Sequence, residues 1–442
     1  MSGPTLNIAD ALLFDRIHEG NGERVAIRLD DRTLLYREVA GIAAGFATRL
    51  VERDVQPEQR VLIGLPDGPE FVGALFGTLA VGAVAVMIGP EMRPEHLAAV
   101  ATASRSPLAI TNDAERFAAA GALQVMAAGD HVGGDPERFE PYPTHRDDPA
   151  IWLFSGGTTG VPKIVVQTHR SFLNTTERYA KATLGYGPDD ITLSVPKLYF
   201  GYATGSNLFF PFSVGASAVL FAERPTPEVL FEKVERHRPT ILVNVPSMVA
   251  AMVAHPEATS QDFSSLRFAT SAGEALPVEL HRQWDDTFGI ELLDGLGTAE
   301  MWHIFVTNRP GEVRRGTVGR VVPGFDVRIC NEDGDEVPEG EVGRLWVRGD
   351  SRAWGYWQDI DRTAEAFRGE WFVGGDLASR DSDGFVTHRG RADDAVKVKG
   401  KWLRPQEVEG ALLTHPAVRE CAVIAVDNQV GLLEPVAFVV AD

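Results

Sequence analysis

The chain has 442 residues, longer than the roughly 250–300 at which single cores stop growing, so two or more domains are expected. Hydrophobic residues make up 44% and charged residues 24%, an ordinary globular composition, and the formal charge of −20 argues against nucleic acid or an anionic membrane as the main target. Cys330 and Cys421 lie far apart with no Cys/His cluster, which excludes a structural zinc site and fits a reducing compartment.

The opening MSGPTLNIADALLFDRI has no cationic segment leading into an apolar stretch, so it is not read as a signal peptide. The longest apolar run, about 80–88, is far short of the roughly 20 residues a membrane helix needs. A soluble, cytoplasmic protein is expected. Residues 36–52 read as a helix, with Val39, Ile42, Ala43, Phe46 and Leu50 on one face. Residues 60–65 suit a buried strand ending at a Pro-Asp-Gly turn, 70–81 a helix and 83–88 another strand. Further strands are expected at 218–221, 240–245, 267–271 and 290–293. Strands alternating with helices imply a largely parallel sheet covered on both faces. After about Thr317 short β segments (327–329, 343–347, 384–388) alternate with Gly/Asp turns, suggesting a small β subdomain. A charged stretch at 389–401 then leads to a helix at 405–413 and strands at 422–426 and 436–440. The fold class expected is α/β. A large N-terminal domain of several subdomains, residues 1–390, holds parallel sheets and a small β subdomain, and residues 391–442 form a small, incomplete α+β domain.

The most informative segment runs from the apolar Ile151-Trp152-Leu153-Phe154 into Ser155-Gly156-Gly157-Thr158-Thr159-Gly160-Val161-Pro162-Lys163. Glycines let backbone N–H groups approach an anion, hydroxyls add donors, and Lys163 adds a point charge for phosphate. The Walker pattern is not matched, because Pro162 separates the last glycine from the lysine. Only seven of the 42 basic residues are Lys, so this one stands out.

SGGTTGVPK (155–163) resembles the phosphate loop of the adenylate-forming superfamily, which includes acyl- and aryl-CoA ligases, peptide-synthetase adenylation domains and luciferases. The likeness extends over essentially the whole chain and is greatest to the benzoate-CoA ligase branch, through KLYFGYATGSNLFFPFSVGASAVL (197–220) and EMWHIFVTNRPGEVRRGTVGR (300–320). The resemblance implies that Ser155, Gly156, Gly157, Thr158, Thr159, Gly160 and Lys163 hold the ATP phosphates, and that Gly273, Glu274 and Ala275 pack against adenine. In the stretch Asp294, Gly295, Leu296, Gly297, Thr298, Ala299, Glu300, it implies that Asp294 faces the adenine amino group and Glu300 helps hold Mg²⁺, a hard cation suited to a carboxylate beside triphosphate. The family usually carries Thr directly before this Glu, where its hydroxyl meets the α-phosphate. Ala299 holds that place here and Thr298 sits one earlier, so phosphate contact by Thr298 stays open. Asp376 would accept from the ribose hydroxyls and Arg391 would sit near ribose and phosphate. Asp393 matches a hinge, and Lys397 and Gly400 match the loop lining the channel of the thiol donor. Read alone, an Asp after glycines is a turn former, and lysines in a charged stretch are a solvated loop.

Phe200, Gly201 and Tyr202, with Trp302, His303 and Ile304, correspond to acid-pocket segments of that branch. Aromatic walls fit a flat ring, and Gly201, where the branch commonly carries a small side chain such as Ala, leaves room for a ring substituent. The same aromatics would serve as core packing, and His303 reads either as a polar contact to a substituent or as a hydrogen-bonded buried histidine. The resemblance also implies a later segment carrying a lysine that reaches the carboxylate and α-phosphate. No lysine follows Lys401, so the chain is expected to stop partway through its last domain.

The activity expected is ATP- and Mg²⁺-dependent activation of a benzoate-like acid to an acyl-adenylate, then thioester formation with CoA. The partners expected are an aromatic carboxylic acid, CoA or a carrier protein, and a second copy of the chain as a homodimer, with no nucleic acid and no membrane. The rivals are an aryl-AMP ligase that hands its acyl group to a carrier protein or an amine, and a degenerate member that binds without turnover.

Overall fold

A computed structural model describes residues 5–121, 124–131, 133–155, 163–392, 396–398, 401–403, 405–412, 415, 417–427 and 433–441. Its strands form sheets of nine, seven and five strands and two two-stranded ribbons. Through the nine-stranded sheet Val25–Arg28, Ser217–Val219, Ile191–Ser194, Ile241–Asn244, Phe268–Ser271 and Leu292–Gly297 lie parallel, in that spatial order. In the seven-stranded sheet Gln124–Met126, Leu108–Thr111, Arg60–Gly64, Val84–Met87 and Pro149–Ser155 do the same. The expectation of parallel strands therefore holds for the sheet centres.

The borders differ. Thr33–Leu35 closes one edge of the larger sheet antiparallel, and Ile304–Thr307 with Arg320–Val321 closes the other. Lys163–Thr168 and Gly355–Tyr356 border the seven-stranded sheet antiparallel. For Thr33–Leu35, Ile304–Thr307 and Lys163–Thr168 the physical reason is connection length: strands joined by a short loop can only return antiparallel, whereas parallel neighbours need a crossover, and Gly355–Tyr356 instead adds to the edge from far along the chain.

Alternation along the strands sorts side chains into three cores. Ile241 and Val243 join the main core while Leu242 joins a second, and Val61 and Ile63 join the main core while Leu62 joins a third. The main core is thus shared by inner faces of both large sheets, and each outer face has its own apolar cover, as period-two strands in doubly covered sheets require. Helix Tyr36–Glu52 buries Val39, Ala43, Phe46 and Leu50, as its spacing predicts. It packs on helix Pro69–Ala80 so closely that a Cβ at Gly77 would stand 2.7 Å from Ala43 O.

The five-stranded sheet is antiparallel throughout, built of Asp326–Cys330, Gly343–Arg348, Trp371–Arg380, Phe367–Arg368 and Val386–Arg391. It matches the expected β subdomain, with the last strand shifted toward Arg391. Beyond it, helix Pro405–Leu412 meets the ribbon of Val418–Asp427 and Leu433–Ala441 through Val423 N–H donating to Glu409 Oε1 at 2.7 Å. Among the described residues no helix is long and apolar enough to cross a membrane.

Candidate active site

Two cavities open at the carboxyl ends of the parallel strands, the usual place for ligands in open α/β sheets. The first, of about 830 Å³, is lined by the turns following Phe268–Ser271 and Leu292–Gly297, by Lys163 and by the five-stranded sheet. The second, of about 740 Å³, is lined by the ends of strands of both large sheets and by the segment 197–202. Gly273, Gly297, Thr298 and Ala299 line both, so one wall divides and joins them.

Most of the residues singled out in the sequence face the first cavity. Lys163, Gly273, Glu274, Ala275, Asp294, Gly295, Leu296, Gly297, Thr298, Glu300, Asp376 and Arg391 all line it. Asp294 is buried, burial pushes its carboxyl well above the usual range, and its Oδ1 has no hydrogen-bond partner. The Glu274 carboxylate takes the N–H and hydroxyl of Ser247 at 2.9 and 3.1 Å, which fixes the turn against the start of helix Pro246–Val253. Asp376 is bracketed by His388 Nε2 at 3.1 Å and Arg391 Nη1 at 4.0 Å, an imidazole nitrogen and a guanidinium beside a carboxylate that faces the cavity.

Thr298 caps the short turn Ala299–Met301, its Oγ1 accepting from Met301 N–H at 3.3 Å, which leaves its own proton to donate. Glu300, next in that turn, is buried, and its Oε1 accepts from Tyr356 Oη at 2.8 Å. The one group of three metal-type ligands found among the described residues is Asp10, Asp15 and His18, none of which lines either cavity. A cation held at Glu300 in the first cavity would therefore have fewer than three such side-chain ligands among the described residues, with ligand phosphates and waters completing its shell. That donor set fits Mg²⁺, which keeps several waters, and not a metal needing a full protein cage.

The second cavity holds the acid-pocket candidates. Gly201, Tyr202, Trp302, His303 and Ile304 line it, and Phe200, 55% exposed, lines it too, at the surface rather than in the interior expected of a pocket wall. A Cβ at Gly201 would stand 3.2 Å from Leu153 Cδ1 and 3.7 Å from Trp302 O, so the glycine lets these neighbours close in, and the expected room for a ring substituent is not open at this position. His303 is buried, and burial lowers its pKa to about 3, so it is neutral at ordinary pH. Its Nε2 lies 3.0 Å from Tyr202 O, and a carbonyl only accepts, so the proton sits on Nε2 and Nδ1 is bare. Of the two readings left open for His303, the hydrogen-bonded buried histidine is the one with a partner, and Nδ1 is itself enclosed with none. A Cβ at Gly205 would stand 2.7 Å from His303 Nε2, so that glycine makes room for the ring.

Gly156, Gly157, Thr158, Thr159, Gly160, Asp393 and Gly400, also expected at the site, lie outside the described residues. Ser155 and Lys397 are described by backbone alone, Ser155 pairing with Lys163 across the strands that flank the loop and Lys397 with Trp402. Sequence reasoning passed over Tyr356, His388, Asp67 and Lys197. His388 pairs across strands with Ala378, a register the motif did not suggest. Asp67 and Lys197 line the second cavity, and burial pushes Asp67 up to about 6 and Lys197 down to about 8. A lysine and an aspartate inside apolar segments were the available signal.

Comparison with known proteins agrees with this geometry. The AMP-binding enzyme family matches residues 14–357, and the AMP-binding enzyme C-terminal domain matches residues 407–442. A benzoate–CoA ligase of Thauera aromatica is 37% identical over 98% of this chain and 86% of its own length. A 4-hydroxybenzoate–CoA/benzoate–CoA ligase of Rhodopseudomonas palustris is 35% identical over 98% of this chain and 84% of its own. The solved structure of the anthranilate CoA ligase AuaEII in complex with anthranoyl-AMP superposes with a TM-score of 0.93 at 32% identity, covering 100% of this chain and 87% of that one.

Proposed function

Because the chain belongs to the AMP-binding enzyme family, we propose that it uses ATP to activate a small aromatic carboxylic acid as its acyl-adenylate and then forms the CoA thioester. The observation that carries this reading is the pair of cavities joined along Gly273, Gly297, Thr298 and Ala299. An acid held in the second cavity reaches the α-phosphate of a nucleotide held in the first across that wall.

A carboxylate oxygen attacks the α-phosphorus, the bond to the bridging oxygen breaks, and pyrophosphate leaves. Lys163 and the Thr298 hydroxyl are assigned to the phosphates, Asp376 with Arg391 to the ribose, and Asp294 to the adenine amino group. Mg²⁺ bound to Glu300 would neutralise charge on the leaving phosphates. The work of the protein is positioning and preorganised charge. The thiol then attacks the acyl carbon, its S–C bond forms, and AMP leaves. Residues 391–442 are assigned to the moving part, with Asp393 as pivot and Lys397 and Gly400 beside the thiol. Relatives acting on benzoate, hydroxybenzoate and anthranilate support a benzene ring with or without a small substituent.

The test is acid-dependent exchange of labelled pyrophosphate into ATP, followed by mass analysis of products with CoA present. Exchange with benzoate-type acids and an aryl-CoA product is expected. Exchange with no thioester would move the reading to an aryl-AMP ligase serving a carrier protein, and no exchange with any aryl acid would overturn it.

A further inference from the structure

The turn that carries Glu300 is held from three directions. Gln167 Nε2 donates to Ala299 O at 2.7 Å, Ala353 N–H donates to Glu300 O at 2.8 Å, and the phenol of Tyr356 donates to Glu300 Oε1 at 2.8 Å. The first two bonds fix the backbone, and Tyr356 alone among them fixes the carboxylate. One oxygen of Glu300 is thereby engaged and the second is left for a cation.

Tyr356 is itself tied to the phosphate-loop hairpin. Gly355 and Tyr356 pair with Val166 and Val165 of the strand that begins at Lys163. Trp354 N–H donates to Val166 O at 3.0 Å and Trp357 N–H to Ile164 O at 2.9 Å. The Tyr356 N–H donates to Thr363 Oγ1 at 2.9 Å, and its ring packs edge-on against Phe367 with centroids 5.6 Å apart. Lys163 Nζ lies 5.4 Å from the centre of the same ring. One tyrosine thus links the carboxylate to the strand that carries the phosphate-facing lysine.

We propose that Tyr356 is a positioning residue that holds the Glu300 carboxylate ready for the divalent cation of the bound nucleotide. The inference rests on reading Glu300 as the cation ligand. Groups that orient a ligating side chain commonly change metal affinity by about 10–100-fold when removed. A side chain with three free torsions would otherwise have to be ordered each time the cation binds.

The experiment uses the intact chain with Mn²⁺·ATP and no acid, so that nothing turns over, and reads bound Mn²⁺ by electron paramagnetic resonance. Affinity for metal-free ATP is measured beside it in chelator. Tyr356→Phe is expected to weaken Mn²⁺·ATP binding about 10-fold and leave metal-free ATP unchanged. Glu300→Gln should weaken Mn²⁺·ATP binding too, and the double variant should be no weaker than Glu300→Gln. If Glu300→Gln is weakened and Tyr356→Phe is not, the inference is overturned while Glu300 keeps its role. If Glu300→Gln binds Mn²⁺·ATP like the unaltered chain, the reading of Glu300 falls and takes the inference with it. Equal weakening of metal-free ATP by Tyr356→Phe, or additive effects in the double variant, would also overturn it. Should Tyr356→Phe not fold, Tyr356→Met is read in the same way, and failure of both to fold would assign the phenol to packing instead.

Discussion

Lys163 and Glu300 come from segments far apart in sequence, yet both line the first cavity. Replacing Lys163 by Ala removes a phosphate charge, and replacing Glu300 by Gln removes a metal ligand. Each should cut acid-dependent pyrophosphate release by about 10²–10³, the usual cost of one preorganised charge-stabilising contact. Rates within a factor of two of the unaltered chain in both would sink the assignment. Gly201 lines the second cavity, and a Cβ there already meets Leu153 at 3.2 Å, so a larger side chain has to be taken up at the cavity's expense. Gly201→Val should therefore raise KM for ring-substituted benzoates well before it affects benzoate itself, because added methyls in a packed pocket clash. Equal losses for both acids would mean that the residue is not at the substituent. Lys163 was legible because glycines and hydroxyls crowd beside it, and Gly201 because aromatics flank it. Tyr356 was not, because its partner Glu300 is 56 residues earlier and no local period connects them.

Among the elements, helix Tyr36–Glu52 was read to the residue because its apolar positions follow the helical period and bury as one face. What periodicity does not carry is how closely two helices approach. Gly77 is such a position, with its absent Cβ 2.7 Å from both Ala43 O and Phe46 Cβ. Alanine normally favours a helix over glycine by about 1 kcal/mol. Here the helices would have to part, so Gly77→Ala should destabilise by about 1–3 kcal/mol in urea unfolding. A gain in stability would show that the two helices can slide. The strand Lys163–Thr168 was also missed, since the glycine-rich loop drew attention to the turn and away from the KIVVQT run that pairs back onto Pro149–Ser155.

For the whole molecule, parallel strands were legible from alternation with helices, while the antiparallel borders depend on short returns and, at Gly355–Tyr356, on a distant segment, neither of which composition marks. Among the described residues His169, His281 and His303 are buried, and burial lowers His169 and His303 each to about 3, so both are neutral. An unfolded histidine titrates near 6.5, so the unfolded chain takes up protons first as the pH falls. Their contribution is complete above about pH 6.5 and is lost progressively toward pH 3, at up to about 1.4 kcal/mol per pH unit for each group. His169 Nδ1 accepts from Ile8 N–H at 3.1 Å, a bond an amide oxygen can replace. His169→Asn should flatten the fall of the urea midpoint between pH 6 and 4, and an unchanged slope would contradict the buried-neutral assignment. The two adjoining cavities, one for a nucleotide and one for an aromatic acid, are tested together by pyrophosphate release from the intact chain with ATP and Mg²⁺, compared as kcat/KM across benzoate, hydroxybenzoates, anthranilate, acetate and a long-chain fatty acid. An aromatic acid is expected to lead both linear acids by at least about 10²-fold, or roughly 2.7 kcal/mol of transition-state binding. A linear acid as the best substrate, or release that does not depend on added acid, would contradict it.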